Sequence, residues 1–363
     1  MKQRNFILTD VMKTGQPAFL KHFIDCGNLP DQQFVITEEY YTIHNYDLKS
    51  FDRRLAIIDM SFNVNTVLSN SDYQRDLQHR LKVLHDKGFH FIFGCPWESR
   101  DNLHTQNWLN AEWTSKGERV IPYDYHTWTG GSSWFWSYMM YKHQQQNFKF
   151  DHTDKKYDLL YLNKFPRTHR TKLYNKIKET KLLDNSLYSF IRLKEPVRLP
   201  REYELPWVDA KAYPLIGSDQ DIYERPYNDT KFSLISETND NNNEVFMTEK
   251  IWKAIIAKHV FVVHGNLGYL KKLKALGFKT FSDCFDESYD QEEDNDKRIE
   301  KIIKTCAEVY KKDWKMLYAQ TRESRQHNYN NFFDKNKLSV EINKELSLWL
   351  EFVDSSQVSS TKS

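Results

Sequence analysis

Apolar and polar positions along the 363-residue chain switch between two periods: short, mostly apolar runs, and longer stretches with apolar residues three and four apart. In the first half the short runs predict strands at Asn5–Val11, Gln33–Tyr40, Leu55–Met60, His90–Gly94 and Val120–Tyr125. Between them, Ser71–Lys87 carries Leu77, Leu81 and Leu84 at helical spacing and ends at Lys87-Gly88, a helix stop. Ser132–Gln145 follows Gly130-Gly131 and reads as a helix dense in Trp, Phe, Tyr and Met.

A polar segment, Gln144–Lys156, precedes a second alternating series. Strands are expected at Tyr157–Leu162, Leu187–Arg192, Phe232–Ser236, Val260–His264 and Thr280–Cys284. Helices are expected at Arg167–Leu182, Thr248–Lys258 and Leu270–Leu276, with longer helical patterns from Lys297 to about Tyr329 and from Val340 to Phe352. The acidic run Asp283–Asp296 reads as a solvated loop. Strand–helix alternation on both sides of one boundary implies an α/β fold with two parallel-sheet domains, residues 1–150 and 151–335. A closing helix over 336–354 and a polar, fraying tail over 355–363 complete the expectation. Parallel sheets bind ligands at the carboxyl ends of their strands, so a cleft between the domains is the expected site.

Composition narrows the chemistry. Charges nearly cancel, 52 Lys+Arg against 50 Asp+Glu, and a 39% hydrophobic content suits a globular chain rather than a disordered one. Only 11 residues are glycine, and neither GxxxxGK[ST] nor GxGxxG occurs. A phosphate site here would therefore use helix N-termini and basic side chains. The four cysteines, Cys26, Cys95, Cys284 and Cys306, are far apart and contain no CxxC, which argues against a disulfide framework or zinc cluster. The basic start lacks an apolar run of signal-peptide length, and no 18-residue apolar stretch occurs. The expectation is a soluble, cytoplasmic protein.

The densest chemical signal is Phe232–Gly265. A buried-type strand delivers Ser236-Glu237-Thr238-Asn239 at its carboxyl end, and Thr248-Glu249-Lys250 opens an amphipathic helix. Thr248 suits an N-cap and Glu249 suits the macrodipole. Lys250 opposes the macrodipole: either its stem packs along the helix surface, or it meets an anion held at the helix start. Upstream, Tyr157–Lys176 reads as a strand, a Pro-broken loop and a helix whose first turns carry Arg167 and Arg170, again against the macrodipole. Two such violations at strand ends suggest one shared anion.

The downstream segment resembles the C-terminal signature of the α1,3-fucosyltransferase family: Glu237 at the family's Glu, Phe246 at its aromatic, Thr248-Glu249-Lys250 at its TEK, and Val260–Gly265 at the strand that follows. Thr238 stands where the family has Asn, and the intervening loop is about two residues longer. The upstream segment is similar to that family's phosphate-binding Arg segment, with Arg170 the best counterpart and Arg167 and Lys164 in support. Together with the later FKTFSDCFDESYD, the chain also looks like glycosyltransferases of large phages and viruses, some of which glycosylate modified cytosines in phage DNA. The resemblance covers roughly Tyr157–Phe285. It implies a GT-B architecture, two Rossmann-like domains facing across a cleft, the second binding a nucleotide-sugar. It implies inverting transfer from a UDP- or GDP-sugar, with no obligatory metal. Lys164, Arg167, Arg170, Glu237, Asn239, Phe246, Thr248, Glu249 and Lys250 are then the donor-site candidates.

Transfer also needs a base for the acceptor hydroxyl. Glu98, with Asp101 as second choice, follows the strand His90–Gly94; Glu38, Glu39 and Asp59 are further candidates. Asp219-Gln220-Asp221 and Asp294-Asn295-Asp296 have the Asp-x-Asp form that ligates a metal in the other main glycosyltransferase fold, but their polar contexts read as structural. His259 and His264 straddle a helix–strand junction and are poorly placed for a shared metal. Trp97, Trp108, Trp113, Trp128, Trp134 and Trp136 crowd the first half; those beyond core needs could stack on sugars or flipped bases. The resemblance to the phage enzymes implies arabinosyl- or glucosyl-type transfer to hydroxylated or hydroxymethylated cytosine in double-stranded phage DNA. The alternatives are a surface glycan or lipopolysaccharide, and a non-catalytic nucleic-acid- or glycan-binding module.

Overall fold

Three neighbouring apolar strands set the first sheet: Phe6–Leu8, Leu55–Ile58 and Phe91–Phe93 are all buried, the signature of parallel strands covered on both faces. The computed structural model describes residues 2–11, 17–37, 40–59, 71–95, 125–129, 132–203, 221–240 and 245–360. Those residues fall into two compact units, 1–141 with 335–363, and 142–334.

In the first unit, β1 (Gln3–Val11), β2 (Gln32–Thr37), β3 (Arg53–Asp59), β4 (His90–Cys95) and β5 (Tyr125–Thr129) form one parallel sheet in the order β2-β1-β3-β4-β5. Helices α1 (Pro17–Cys26), α2 (Ser71–Asp86) and α3 (Ser132–His143) lie between and after the strands. Leu77, Leu81 and Leu84 of α2 are buried, as their spacing predicts. Gly88 ends that helix at φ +77°, and a Cβ there would lie 2.7 Å from Arg54 Nη1, so the stop needs glycine twice over. On α3, Trp134, Phe135, Trp136, Met139 and Met140 are all buried, so this part of the aromatic surplus is core.

The second unit repeats the pattern with four parallel strands, β6 (Tyr157–Asn163), β7 (Ser186–Phe190), β8 (Thr230–Ser236) and β9 (Val260–His264), ordered β7-β6-β8-β9. Helix α4 (Thr168–Lys178) follows β6, α5 (Glu224–Asp229) leads into β8, α6 (Glu249–Ile256) follows β8, and α7 (Tyr269–Ala275) follows β9. Ligand-competent helix starts therefore sit at the carboxyl ends of β6 and β8.

Four expectations need correction. Thr280–Cys284 is a turn, not a strand: Glu287 accepts from Thr280 Oγ1 and Phe281 N, both at 2.7 Å, while Cys284 N closes onto Phe281 O. The long pattern after Lys297 forms three helices, α8 (Asn295–Lys311), α9 (Trp314–Gln320) and α10 (Arg322–Phe332), because Asp313 caps a new start by accepting from Met316 N. The acidic run is not simply solvated: buried Asp290 accepts from Leu270 N and Lys271 N, and Asp294 caps α8. The last helix, α11 (Lys335–Ser360), runs through the start of the expected polar tail. It belongs to the first unit, burying Leu338, Ile342, Leu346, Trp349 and Val353, and Asp354 grips Arg53 of β3 through two 2.6 Å bonds. Among the described residues, no helix is long and apolar enough to cross a membrane.

Candidate functional site

The loop after β6 reads Lys164-Phe165-Pro166-Arg167, and Arg167 takes the N-cap of α4 in an extended conformation. Its side chain offers no acceptor, so the first-turn amides of α4 have no cap from it and form a ready anion cradle. Arg170, one turn in, is buried; its Nε and Nη2 donate to the Glu237 carbonyl at 3.0 and 2.8 Å. Burial lowers the pKa of both guanidiniums, and for Arg170 the Arg167 charge adds to the effect. Crowded positive charge at a positive helix end is an arrangement an anion relieves.

Glu237, the first residue beyond β8, joins this corner to the start of α6. Its carboxylate is 0% exposed. Oε1 accepts from Thr248 N at 3.1 Å and from the Tyr269 hydroxyl at 2.6 Å, and Oε2 accepts from Thr248 Oγ1 at 2.6 Å. With those bonds made, Glu237 positions the start of α6 and the Tyr269 hydroxyl. Tyr269 reaches it because Gly265 lacks a side chain: a Cβ there would lie 2.7 Å from the tyrosine ring.

Lys250 Nζ donates to Thr248 Oγ1 at 2.9 Å and to Glu249 Oε1 at 2.8 Å, and lies 3.9 Å from Glu237 Oε2. Burial alone would raise the Glu249 carboxyl; Lys250 and Lys253 outweigh it and hold it below the ordinary carboxylate range. Two carboxylates thus surround one ammonium at the TEK corner, whereas the α4 start carries the excess positive charge.

A cavity of about 420 Å³ opens at the α4 start, lined by Arg167, Thr168, His169, Thr238, Asn239 and Asp240 among others. Of the donor-site candidates, Arg167 and Asn239 line it. Lys164 lies with its Nζ 5.7 Å from the Phe165 ring, whose face also carries the Arg192 guanidinium at 4.5 Å. Phe246 does not face the cavity: it is buried in the core, its backbone N donating to Asn266 Oδ1. Glu98, Asp101, Glu38 and Glu39 lie outside the described residues, as does the side chain of Asp59.

Sequence reasoning missed His169, Asp240 and Tyr269, and weighed His264 only as a metal ligand. His169 Nε2 donates to the Glu237 carbonyl at 3.0 Å, beside Arg170 on the same acceptor. A histidine between two first-turn arginines was the available signal; Asp240 and Tyr269 carry none in their local sequence. The Asp-x-Asp candidates are structural in their described parts. Asp294 caps α8, Asp296 pairs with Lys172, and Asp221 pairs with Lys142, while Asp219 lies outside the described residues. His259 is likewise structural, with Nε2 donating to Thr230 O at 2.8 Å and Nδ1 2.8 Å from Ser233 Oγ.

The chain matches no family model, no curated protein and no solved structure.

Proposed function

We propose that this chain is a nucleotide-sugar-dependent glycosyltransferase whose second unit holds the donor diphosphate at the start of α4. The observation that carries this reading is a cavity at the carboxyl end of a parallel sheet lined by Arg167, Thr168 and His169 of the α4 start, with the buried Arg170 of the same turn held on the Glu237 carbonyl. In transfer the departing nucleotide diphosphate gains negative charge, and these groups are fixed in advance to receive it. Removing one preorganised donor of this kind costs around 3–4 kcal/mol of transition-state stabilisation. Thr248, Glu249 and Lys250, tied to the same corner through Glu237, support the donor's remaining polar groups.

The finer reading rests on the resemblance to fucosyltransferases and phage glycosyltransferases: a GT-B arrangement, inverting transfer from a UDP- or GDP-sugar, and hydroxymethylated cytosine in DNA as acceptor. Glu98 and Asp101 are the proposed bases for the acceptor hydroxyl. Titration calorimetry of UDP and GDP against the full chain and its Arg167→Ala and Arg170→Ala variants tests the donor site. Binding of one nucleotide by the wild type, weakened tenfold or more in both variants on the order expected for charged hydrogen bonds, supports it. Unchanged affinity in both variants would refute it.

A further inference from the structure

The cavity beside α4 contains a buried carboxylate where an anion cradle tolerates one least. Asp240 is 8% exposed and lines the cavity next to Arg167 and the first turn of α4. Its Oδ1 lies 3.4 Å from His169 Nδ1, and its Oδ2 lies 3.9 Å from His264 Nε2. His169 is oriented by its other nitrogen, which must carry a proton to donate to the Glu237 carbonyl at 3.0 Å. Nδ1 of the neutral ring is then an acceptor facing a second acceptor. Burial holds both histidines below their ordinary pKa; for His169 the Asp240 charge opposes it, and for His264 the charges of His169, Arg298 and Arg170 reinforce it. His264 is fully buried, and its Nε2, on the Asp240 side, has no hydrogen-bond partner among the described residues. Two acceptors, Asp240 and His169 Nδ1, thus meet at the cavity wall beside a positive cradle, while His264, with Nδ1 3.4 Å from Ser236 Oγ, backs Asp240.

The Asp240 charge repels an inorganic phosphate in any of its ionisation states, and such an anion lacks a neutral hydroxylated end to set against that wall. A ligand that is anionic at one end and bears hydroxyls at the other fits both halves. We propose that Asp240 and His169 form a paired acceptor for a vicinal diol of the ligand whose phosphates meet Arg167 and α4, so that Asp240 selects a nucleotide or nucleotide-sugar over an inorganic anion. This inference rests on the donor-site reading above. The diol is that of the ribose or that of the transferred sugar. One hydroxyl donates to Asp240 Oδ1 and its neighbour to His169 Nδ1; no covalent step is involved.

The test is titration calorimetry on the full chain and its Asp240→Asn variant, with UDP, dUDP, GDP, dGDP, UDP-glucose and inorganic diphosphate as probes. The wild type is expected to prefer the ribonucleotide over its 2′-deoxy counterpart if the ribose is recognised, or UDP-glucose over UDP if the sugar is. Asp240→Asn should erase that preference, weaken the preferred ligand about tenfold, the order of a charged hydrogen bond, and leave inorganic diphosphate as tight or tighter. Equal weakening of all probes, equal strengthening of all, or an unchanged preference would each overturn the proposal while leaving the donor site intact. A wild type that binds none of the probes overturns the donor-site reading and this inference together. If Asp240→Asn melts early, Asp240→Ser, which removes the charge and the bulk, is read in its place by the same criteria.

Discussion

Replacing Glu237 removes the residue through which β8, α6 and α7 are joined. In Glu237→Ala three buried donors lose their acceptor: Thr248 N–H, the Thr248 hydroxyl and the Tyr269 hydroxyl. Each unsatisfied buried donor costs about 1–3 kcal/mol. The two hydroxyls can rotate and the first turn of α6 can relax, so a loss of about 3–5 kcal/mol is expected. Glu237→Gln keeps the shape but turns one acceptor into a donor facing Thr248 Oγ1, which already accepts from Lys250. Its expected cost is about 1–2 kcal/mol. Urea unfolding followed by tryptophan fluorescence measures both, and hydrogen exchange over 245–256 reports whether the start of α6 has loosened locally. A Glu237→Ala protein within 0.5 kcal/mol of wild type, a bound set well below the roughly 3 kcal/mol expected, with the Thr248 amide still protected, would refute the keystone role.

Gly265→Ala should push the Tyr269 ring off Glu237 and cost about 1–3 kcal/mol by overpacking, measured by the same urea unfolding, with Tyr269→Phe losing only the hydroxyl's share. Stability should also fall on acidification. Burial first, with the Lys155 charge, holds folded His152 at about 3, while the unfolded side chain titrates near 6.5. The unfolded chain therefore binds the extra proton, and the contribution present above pH 6.5 drains away as pH falls towards 3; His152→Gln should flatten that slope in denaturation curves taken across this range. Arg53→Ala and Asp354→Ala, with their double variant, should show a coupling of about 1 kcal/mol at most, because Asp354 is 51% exposed despite its two-bond geometry.

Much of the fold was legible because its strands are apolar on both faces and its helices carry regular stripes. Leu77, Leu81 and Leu84 announce α2, and Val260–His264 is matched residue for residue. The misreadings come from side chains acting at a distance in sequence. Thr280–Cys284 has β-forming residues, yet Glu287 folds back to hold it as a turn. Asp290 and Asp294 look like part of a solvated acidic run until the helix starts they cap are known. At the site, Arg167 and Arg170 could be singled out because a cation at a helix start is locally unfavourable. Glu237 could be singled out too, but not its role, since nothing in its neighbourhood encodes the approach of Tyr269 from 32 residues away. Asp240 sits in a polar stretch and became visible only when His169 and His264 were brought to it.

The glycosyl-transfer proposal meets its most direct test in mass spectrometry of acceptors incubated with the full chain and a panel of UDP- and GDP-sugars. The acceptors are double-stranded DNA containing 5-hydroxymethylcytosine, unmodified DNA, and a lipopolysaccharide preparation. The account predicts a sugar-sized mass gain on the hydroxymethylated DNA alone, with one donor of the panel, abolished by Arg170→Ala. A mass gain on lipopolysaccharide instead would move the acceptor to glycans, and no mass gain on any acceptor, with no nucleotide diphosphate released from any donor, would contradict the account.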